Sequence, residues 1–402
     1  MNILLVSSYL PYPLFSGGHI RLFNLIKELS EKHTITLICE KRDYQGESDI
    51  KELSKFCKKV ITIPRKKQWT MENIVKTGLS FSSFLIIGHK SLQMKREIQR
   101  ELNENQFDLI HVETSYVMQN IPPTKIPIVL IEHNIEYLVY KLFADNASLI
   151  LRPLLRIDIL KLKHWEEQMW KKVSKLVAVS ESDKKIMDKI RKDVVIVSNG
   201  VDINKFKVRS EKSEVRNPEK RILFIGEFKW VQNRDAIQFI LKEVWPKLQA
   251  ELIPQMDGGG IKLWVVGRNI PNSIRKLTTD GNIIFDEKAP KETELIYQRS
   301  NIVLTPIRVG GGTSYKILEG MASGVPVLTT PLGNAMNAKE DSEIVIANDV
   351  DGFVQKIKLL LEDEKFYNTI SGNARKLVEE KFNWKKISED LNSVYESVMP
   401  YA

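Results

Sequence analysis

The sequence predicts an α/β protein of two or three domains, with parallel strands buried in the core. The chain has 402 residues, too many for one ordinary core. Short β-branched apolar runs alternate along it with helical patterns, the order of parallel-sheet proteins. Two of those runs open into a glycine loop that feeds a helix, Gly17-Gly18 near the start and Gly310-Gly311-Gly312 in the second half.

Residues 2–8 (NILLVSS) read as a first buried strand, closed by a loop at Pro11, Pro13, Gly17 and Gly18. Leu22, Leu25, Ile26 and Leu29 then share a helix face. Strands are predicted at 33–39, 60–63, 107–113 and 128–132. The last ends in His133-Asn134-Ile135-Glu136, and open α/β sheets place ligands just beyond the C-terminal ends of their strands. Between 64 and 106 basic and bulky apolar residues mingle, among them Lys66, Lys67, Trp69, Leu79 and Phe81. Helix packing explains such a mixture, and so does an anionic membrane face. A long helix over 151–175, a strand at 176–180 and a helix from about Ser182 follow. The charged stretch 207–220 has few apolar residues and reads as a linker.

A second domain starts at the strand 221–226, with a helix from Arg234 and strands at 261–266, 282–285, 302–304 and 327–329. After 343–347 the chain reads as helical to its end. The stretch 301–332 is the most informative. Pro306 ends its strand, the three glycines turn the backbone, Thr313 or Ser314 is placed to cap the next helix, and Gly324-Val325-Pro326 stops it. A glycine loop at a helix N-terminus presents unpaired N–H groups and the positive end of the helix dipole to an anion. Lys316 adds a charge in the first turn, and Glu319 lies on the same helical face. A nucleotide diphosphate joined to a sugar fits such a surface; a crossover without a ligand has the same outline.

Composition narrows the classes. The chain is 43% hydrophobic and carries a net charge of +9, with its basic residues dispersed. Phosphates or an anionic membrane are favoured over nucleic acid. Cys39 and Cys57 have neither metal nor redox spacing, so a reducing compartment is expected. No signal peptide is read, since strand-like residues begin at Ile3, and the longest apolar stretch, 79–88, is half a bilayer crossing. A cytoplasmic protein, at most peripheral on the cytoplasmic membrane face, is expected. Asp349-Val350-Asp351 precedes a helical pattern and reads as a cap, not a metal site.

The stretch from Gly310 resembles the donor-site signature of the retaining, GT-B-fold glycosyltransferases of family 4, roughly G-G-G-T-x-x-K-x-L-E-A-M-A-x-G-x-P-V-V-x-T. The Gly17-Gly18 loop resembles the family's N-terminal S-x-x-x-P-x-x-G-G-x element, and Asn199 to Asp202 its N-G-V-D turn. Trp230 and Asn233 match its G-x-x-x-W-x-P-N element, with Gln232 in place of proline. Gly311 stands where many members have a glutamate, and Ser314 where related sequences often have arginine.

The resemblance implies two Rossmann-like domains facing each other across a cleft. The first, 1–206, would bind the acceptor and be completed by about 384–402; after the linker 207–220, residues 221–383 would bind the donor. Lys316 would contact the donor diphosphate, Glu319 the ribose, and His133 the donor sugar. Gly17, Gly18, Lys229, Asn233, Gly310, Gly311, Gly312, Thr313 and Ser314 would line the donor site. His19, Arg21 and Glu136 are acceptor-side candidates, and 285–288 would read the base. The implied activity is retaining, metal-independent transfer of a sugar from a UDP- or GDP-sugar, with no other cofactor, to a glycan or lipid-linked acceptor. A nucleotide-sugar 2-epimerase and a non-catalytic scaffold are the alternatives.

Overall fold

The computed structural model describes residues 1–145, 147–208, 219–252, 260–290, 292–309 and 313–399. The chain separates into two compact units. One holds residues 1–198 together with those from Ile387 on, and the other holds Asn199–Lys386.

The first unit is built on a parallel sheet of seven strands: β1 (Asn2–Ser7), β2 (Thr34–Lys41), β3 (Lys59–Pro64), β4 (Leu109–Glu113), β5 (Ile128–Glu132), β6 (Lys175–Ala178) and β7 (Val195–Ile196). They lie in the order β3-β2-β1-β4-β5-β6-β7. The central strands are apolar on both faces because helices cover both sides, and Ile3, Leu4, Leu5 and Val6 of β1 are all buried. Chain direction across the sheet reverses at β1, which pairs with β2 on one edge and β4 on the other. That reversal is the switch point at which doubly wound sheets leave a crevice.

The second unit repeats the plan with β8 (Arg221–Ile225), β9 (Lys262–Val266), β10 (Ile283–Asp286), β11 (Ile302–Thr305), β12 (Val327–Thr329) and β13 (Val345–Ile346), in the order β10-β9-β8-β11-β12-β13. Here the reversal lies at β8, between β9 and β11. The helix Tyr315–Ala322 packs closely on this sheet. A Cβ on Gly320 would lie 2.9 Å from a Val327 methyl and 3.0 Å from one of Val303, so this position needs its hydrogen.

The last helix, Trp384–Glu396, starts in the second unit, and from Ile387 on it belongs to the first. There Asn392 Oδ1 bonds His33 Nε2 at 2.8 Å, and the Tyr395 hydroxyl lies 2.6 Å from His111 Nδ1. The first unit is therefore discontinuous in sequence. The linker expected at 207–220 lies largely outside the described residues.

Candidate active site

In the second unit Lys316 and Asn233, two of the predicted donor-site residues, meet at the switch point. Asn233 lies in the helix Val231–Phe239 after β8, and Lys316 in the helix Tyr315–Ala322 after β11. Lys316 Nζ donates to Asn233 Oδ1 at 2.8 Å and stands 4.9 Å from the centre of the Phe224 ring. Asn233 in turn donates to the Glu227 carbonyl at 2.8 Å. Its side chain fits only because position 226 is glycine: a Cβ there would lie 2.8 Å from Asn233. One turn beyond Lys316, Glu319 accepts from the Tyr297 hydroxyl at 2.8 Å.

Burial shapes the electrostatics of this pair. It lowers the Lys316 ammonium to about 8, against the pull of the Glu319 charge. It raises Glu319 to about 7, against the Tyr297 hydrogen bond and the charges of Lys205 and Lys316. Burial thus brings both groups closer to neutral pH, with Lys316 still largely an ammonium there and Glu319 divided between its two forms.

The first unit assembles a second cluster where β1, β4 and β5 end. Glu113, the last residue of β4, is fully buried and accepts from His111 Nε2 at 2.8 Å with one oxygen and from His133 Nε2 with the other. His111 Nδ1 meets the Tyr395 hydroxyl, which completes the chain Tyr395, His111, Glu113, His133. Burial opposes ionisation of Glu113, but the His133 charge and the two histidine hydrogen bonds outweigh it and hold the carboxyl well below the usual range. Beside it Thr114 has φ 73°, a left-handed conformation costly for a β-branched residue and concentrated at functional sites. Tyr9 packs its ring 5.1 Å from His19 and 6.3 Å from His133, and donates to the Gly18 carbonyl at 3.2 Å. Gly17 and Gly18 form the first turn of the helix Gly17–Leu29, where backbone N–H groups lack helical partners. A Cβ on Gly18 would lie 3.5 Å from His133 Nδ1.

Residues 15–205 match the model described as Glycosyltransferase Family 4, and residues 219–363 the one described as Glycosyl transferases group 1. The chain is a family 4 glycosyltransferase. It is 25% identical over 400 residues to an uncharacterized 44.6 kDa protein in the cps region of Klebsiella pneumoniae, covering 96% of this chain and 97% of that one. It is 28% identical over 246 residues to the capsular polysaccharide biosynthesis glycosyltransferase CapM of Staphylococcus aureus, covering 56% and 62% of the two chains. The crystal structure of Anabaena HepE in complex with UDP-glucose has the same GT-B fold, with a TM-score of 0.65, 14% identity, and coverage of 99% and 100%.

The other candidate residues of this glycosyltransferase are placed as follows. Arg21 is corrected: it is 1% exposed and donates to the carbonyls of Val197 and Ser198 at 2.8 and 2.6 Å, which ties the helix Gly17–Leu29 to the end of the β7 segment rather than facing an acceptor. Ser314 holds the N-cap position of its helix but makes no side-chain cap, and Thr313 is buried, its carbonyl taken by Asn199 at 2.9 Å. Lys229 is exposed, apart from the Lys316–Asn233 contact. Gly310, Gly311 and Gly312 lie outside the described residues. His19 is half-buried and bonds Ser16 Oγ at 2.6 Å, and burial with the Arg42 charge lowers its ring to about 4. Glu136 opens the helix Glu136–Asp145, its carboxyl raised to about 7 by burial.

Among the described residues no three His, Cys, Asp or Glu side chains are grouped to hold a metal. Asp349 caps the helix Val350–Glu362 by accepting from Gly352 N at 2.8 Å, and Asp351 pairs with Lys247. Glu113 is the residue of this cluster that sequence reasoning passed over. Its signal was available: a carboxylate ending an otherwise apolar strand, two residues after a histidine.

Proposed function

We propose that this family 4 glycosyltransferase moves a sugar, with retention at the anomeric carbon, from a UDP- or GDP-sugar to a glycan or lipid-linked acceptor. The observation that carries the reading is the Lys316–Asn233 contact at a switch point, which sets a partly buried ammonium beside the N-terminus of a helix. The UDP-glucose bound by HepE and the name of CapM support trying a UDP-sugar and an envelope polysaccharide acceptor first.

In this reading the bond from the anomeric carbon to the β-phosphate oxygen breaks as the acceptor oxygen bonds that carbon from the same face. The departing phosphate oxygen takes the acceptor's proton, so no side-chain base is needed. Charge builds on the diphosphate, where Lys316 and the N-terminus of the helix Tyr315–Ala322 would meet it without a metal. Asn233 would hold the Lys316 ammonium in place, and Glu319 would hold the ribose hydroxyls. His133, fixed by Glu113, would position the sugar. Residues 1–206 would carry the acceptor, on the cytoplasmic face of a membrane where that acceptor is lipid-linked.

The reading is tested by supplying UDP- and GDP-sugars without metal and following release of the nucleoside diphosphate, with the anomer of the product read by NMR. Release that needs an acceptor, with retained configuration, is expected. An inverted product or a free sugar nucleotide epimerised at C2 contradicts it.

A further inference from the structure

Of the twenty-four large apolar side chains exposed among the described residues, fifteen fall in two stretches of the first unit, 69–81 and 138–160. Three of them are almost fully presented to solvent: Phe81 is 99% exposed, Ile150 87% and Leu79 86%. Folding ties the stretches together. Lys161, in the helix Arg152–Lys172, donates to the Thr77 and Ser80 carbonyls at 2.7 Å each, and Asp158 accepts from Phe84 N at 2.8 Å. Glu166 of the same helix accepts from the backbone N–H groups of Glu136 and Tyr137 at 2.9 Å each, which anchors the start of the helix Glu136–Asp145. On the long helix Leu154, Ile157 and Leu160 recur every three residues, on one side, and all are exposed.

The surrounding charge says what covers this face. Lys66, Lys67, Lys76, Lys141, Arg156 and Lys163 are exposed around it, whereas the exposed acids of 66–81 and 138–163 are Glu72, which pairs with Lys76, and Asp145. Protein interfaces are enriched in Tyr, Trp, Phe, Met and Arg and depleted in lysine at their cores, whereas eleven of the fifteen side chains here are Leu, Ile or Val and five of the six cations around them are lysines. Aliphatic and Phe side chains fringed by lysines are the pattern of helices lying in a lipid interface. No helix among the described residues is long and apolar enough to cross a membrane.

We propose that the helices Met71–Leu79, Glu136–Asp145 and Arg152–Lys172, with the turns before and after them, dock the first unit on an anionic lipid bilayer. The aliphatic side chains enter the boundary between headgroups and acyl chains, and the lysines meet anionic headgroups. Only the consequence, delivery to a lipid-linked acceptor, rests on the function proposed above.

The test is co-sedimentation of the full chain with vesicles of phosphatidylcholine alone or mixed with phosphatidylglycerol, at low and high salt. Binding to the mixed vesicles that weakens with salt is expected, with little binding to phosphatidylcholine. The variant Leu79→Ser/Phe81→Ser/Ile150→Ser/Leu154→Ser is expected to fold, since all four side chains are exposed, and to lose at least about tenfold in partition. Lys66→Glu/Lys67→Glu/Arg156→Glu should remove the salt-dependent part. Wild-type protein that stays in the supernatant with the mixed vesicles overturns the proposal. So does serine substitution that abolishes self-association while leaving vesicle binding unchanged, which assigns the face to a second copy. Thermal shifts with sugar nucleotides, taken without vesicles, read the donor site separately.

Discussion

Lys316 is expected to be the residue on which donor binding turns. Lys316→Ala should lower turnover by roughly 10²-fold or more, the cost typical of losing one preorganised donor to a developing anion, while leaving the fold intact. Its ionisation gives a second readout. The empty-site ammonium titrates at about 8, and a bound diphosphate raises that value, so donor binding near pH 8 should take up protons. Calorimetry in buffers of different ionisation enthalpy measures that uptake; its absence in wild type, or its survival in Lys316→Ala, contradicts the role. Stability follows a separate sign. The folded protein binds fewer protons at Lys316 than the unfolded chain between about pH 8 and the usual lysine value, so this group's contribution rises with pH there.

Glu113 makes the second residue-scale case. Its carboxyl is held low in the fold, so its contribution to stability is full above the ordinary carboxylate range and is lost as the pH falls below it. Glu113→Gln should therefore flatten the acid limb of the stability curve. It should also reduce turnover by about 10²-fold, since His133 loses the group that orients it. Equal acid lability in variant and wild type would show that the histidines do not hold Glu113. The far end of this chain of hydrogen bonds could not be read from sequence, because Tyr395 lies 284 positions from its partner His111 and only the returning C-terminal helix joins them.

At the scale of elements, the helix Tyr315–Ala322 sets the position of both Lys316 and Glu319. Gly320→Leu should push this helix from β11 and β12, at about 1–3 kcal/mol of stability, and should weaken donor binding even though residue 320 faces the sheet. Urea unfolding and a donor titration measure the two effects; an unshifted midpoint would mean that the helix adapts freely. This element was legible in sequence down to its stop at Gly324-Val325-Pro326, because a strand, a glycine loop and an amphipathic helix each leave a distinct local pattern. The helix Glu136–Asp145 was not. Its Leu138, Val139 and Phe143 point outward, so the usual rule that apolar residues mark the buried face misleads. The same inversion conceals the exposed side of Arg152–Lys172. Arg21 was misplaced for a related reason: spacing puts it beside the glycine pair, but only the fold shows the carbonyls that it holds.

For the whole molecule, the two-sheet plan was readable because each unit begins with a buried strand and a loop that serves a helix N-terminus. The order of strands was not legible, since pairing of β1 with β4 or β8 with β11 leaves no local trace. The central claim is a donor site at Lys316 and Glu319. The most direct test is thermal unfolding of the full chain against UDP-, GDP- and ADP-sugars, repeated with Lys316→Ala. A ligand that binds only the folded state raises the midpoint by mass action, by about 2.7 kcal/mol of stability at a hundredfold excess over Kd. A shift with a UDP- or GDP-sugar that Lys316→Ala abolishes is expected. No shift with any donor, or a shift that the variant retains, contradicts the site.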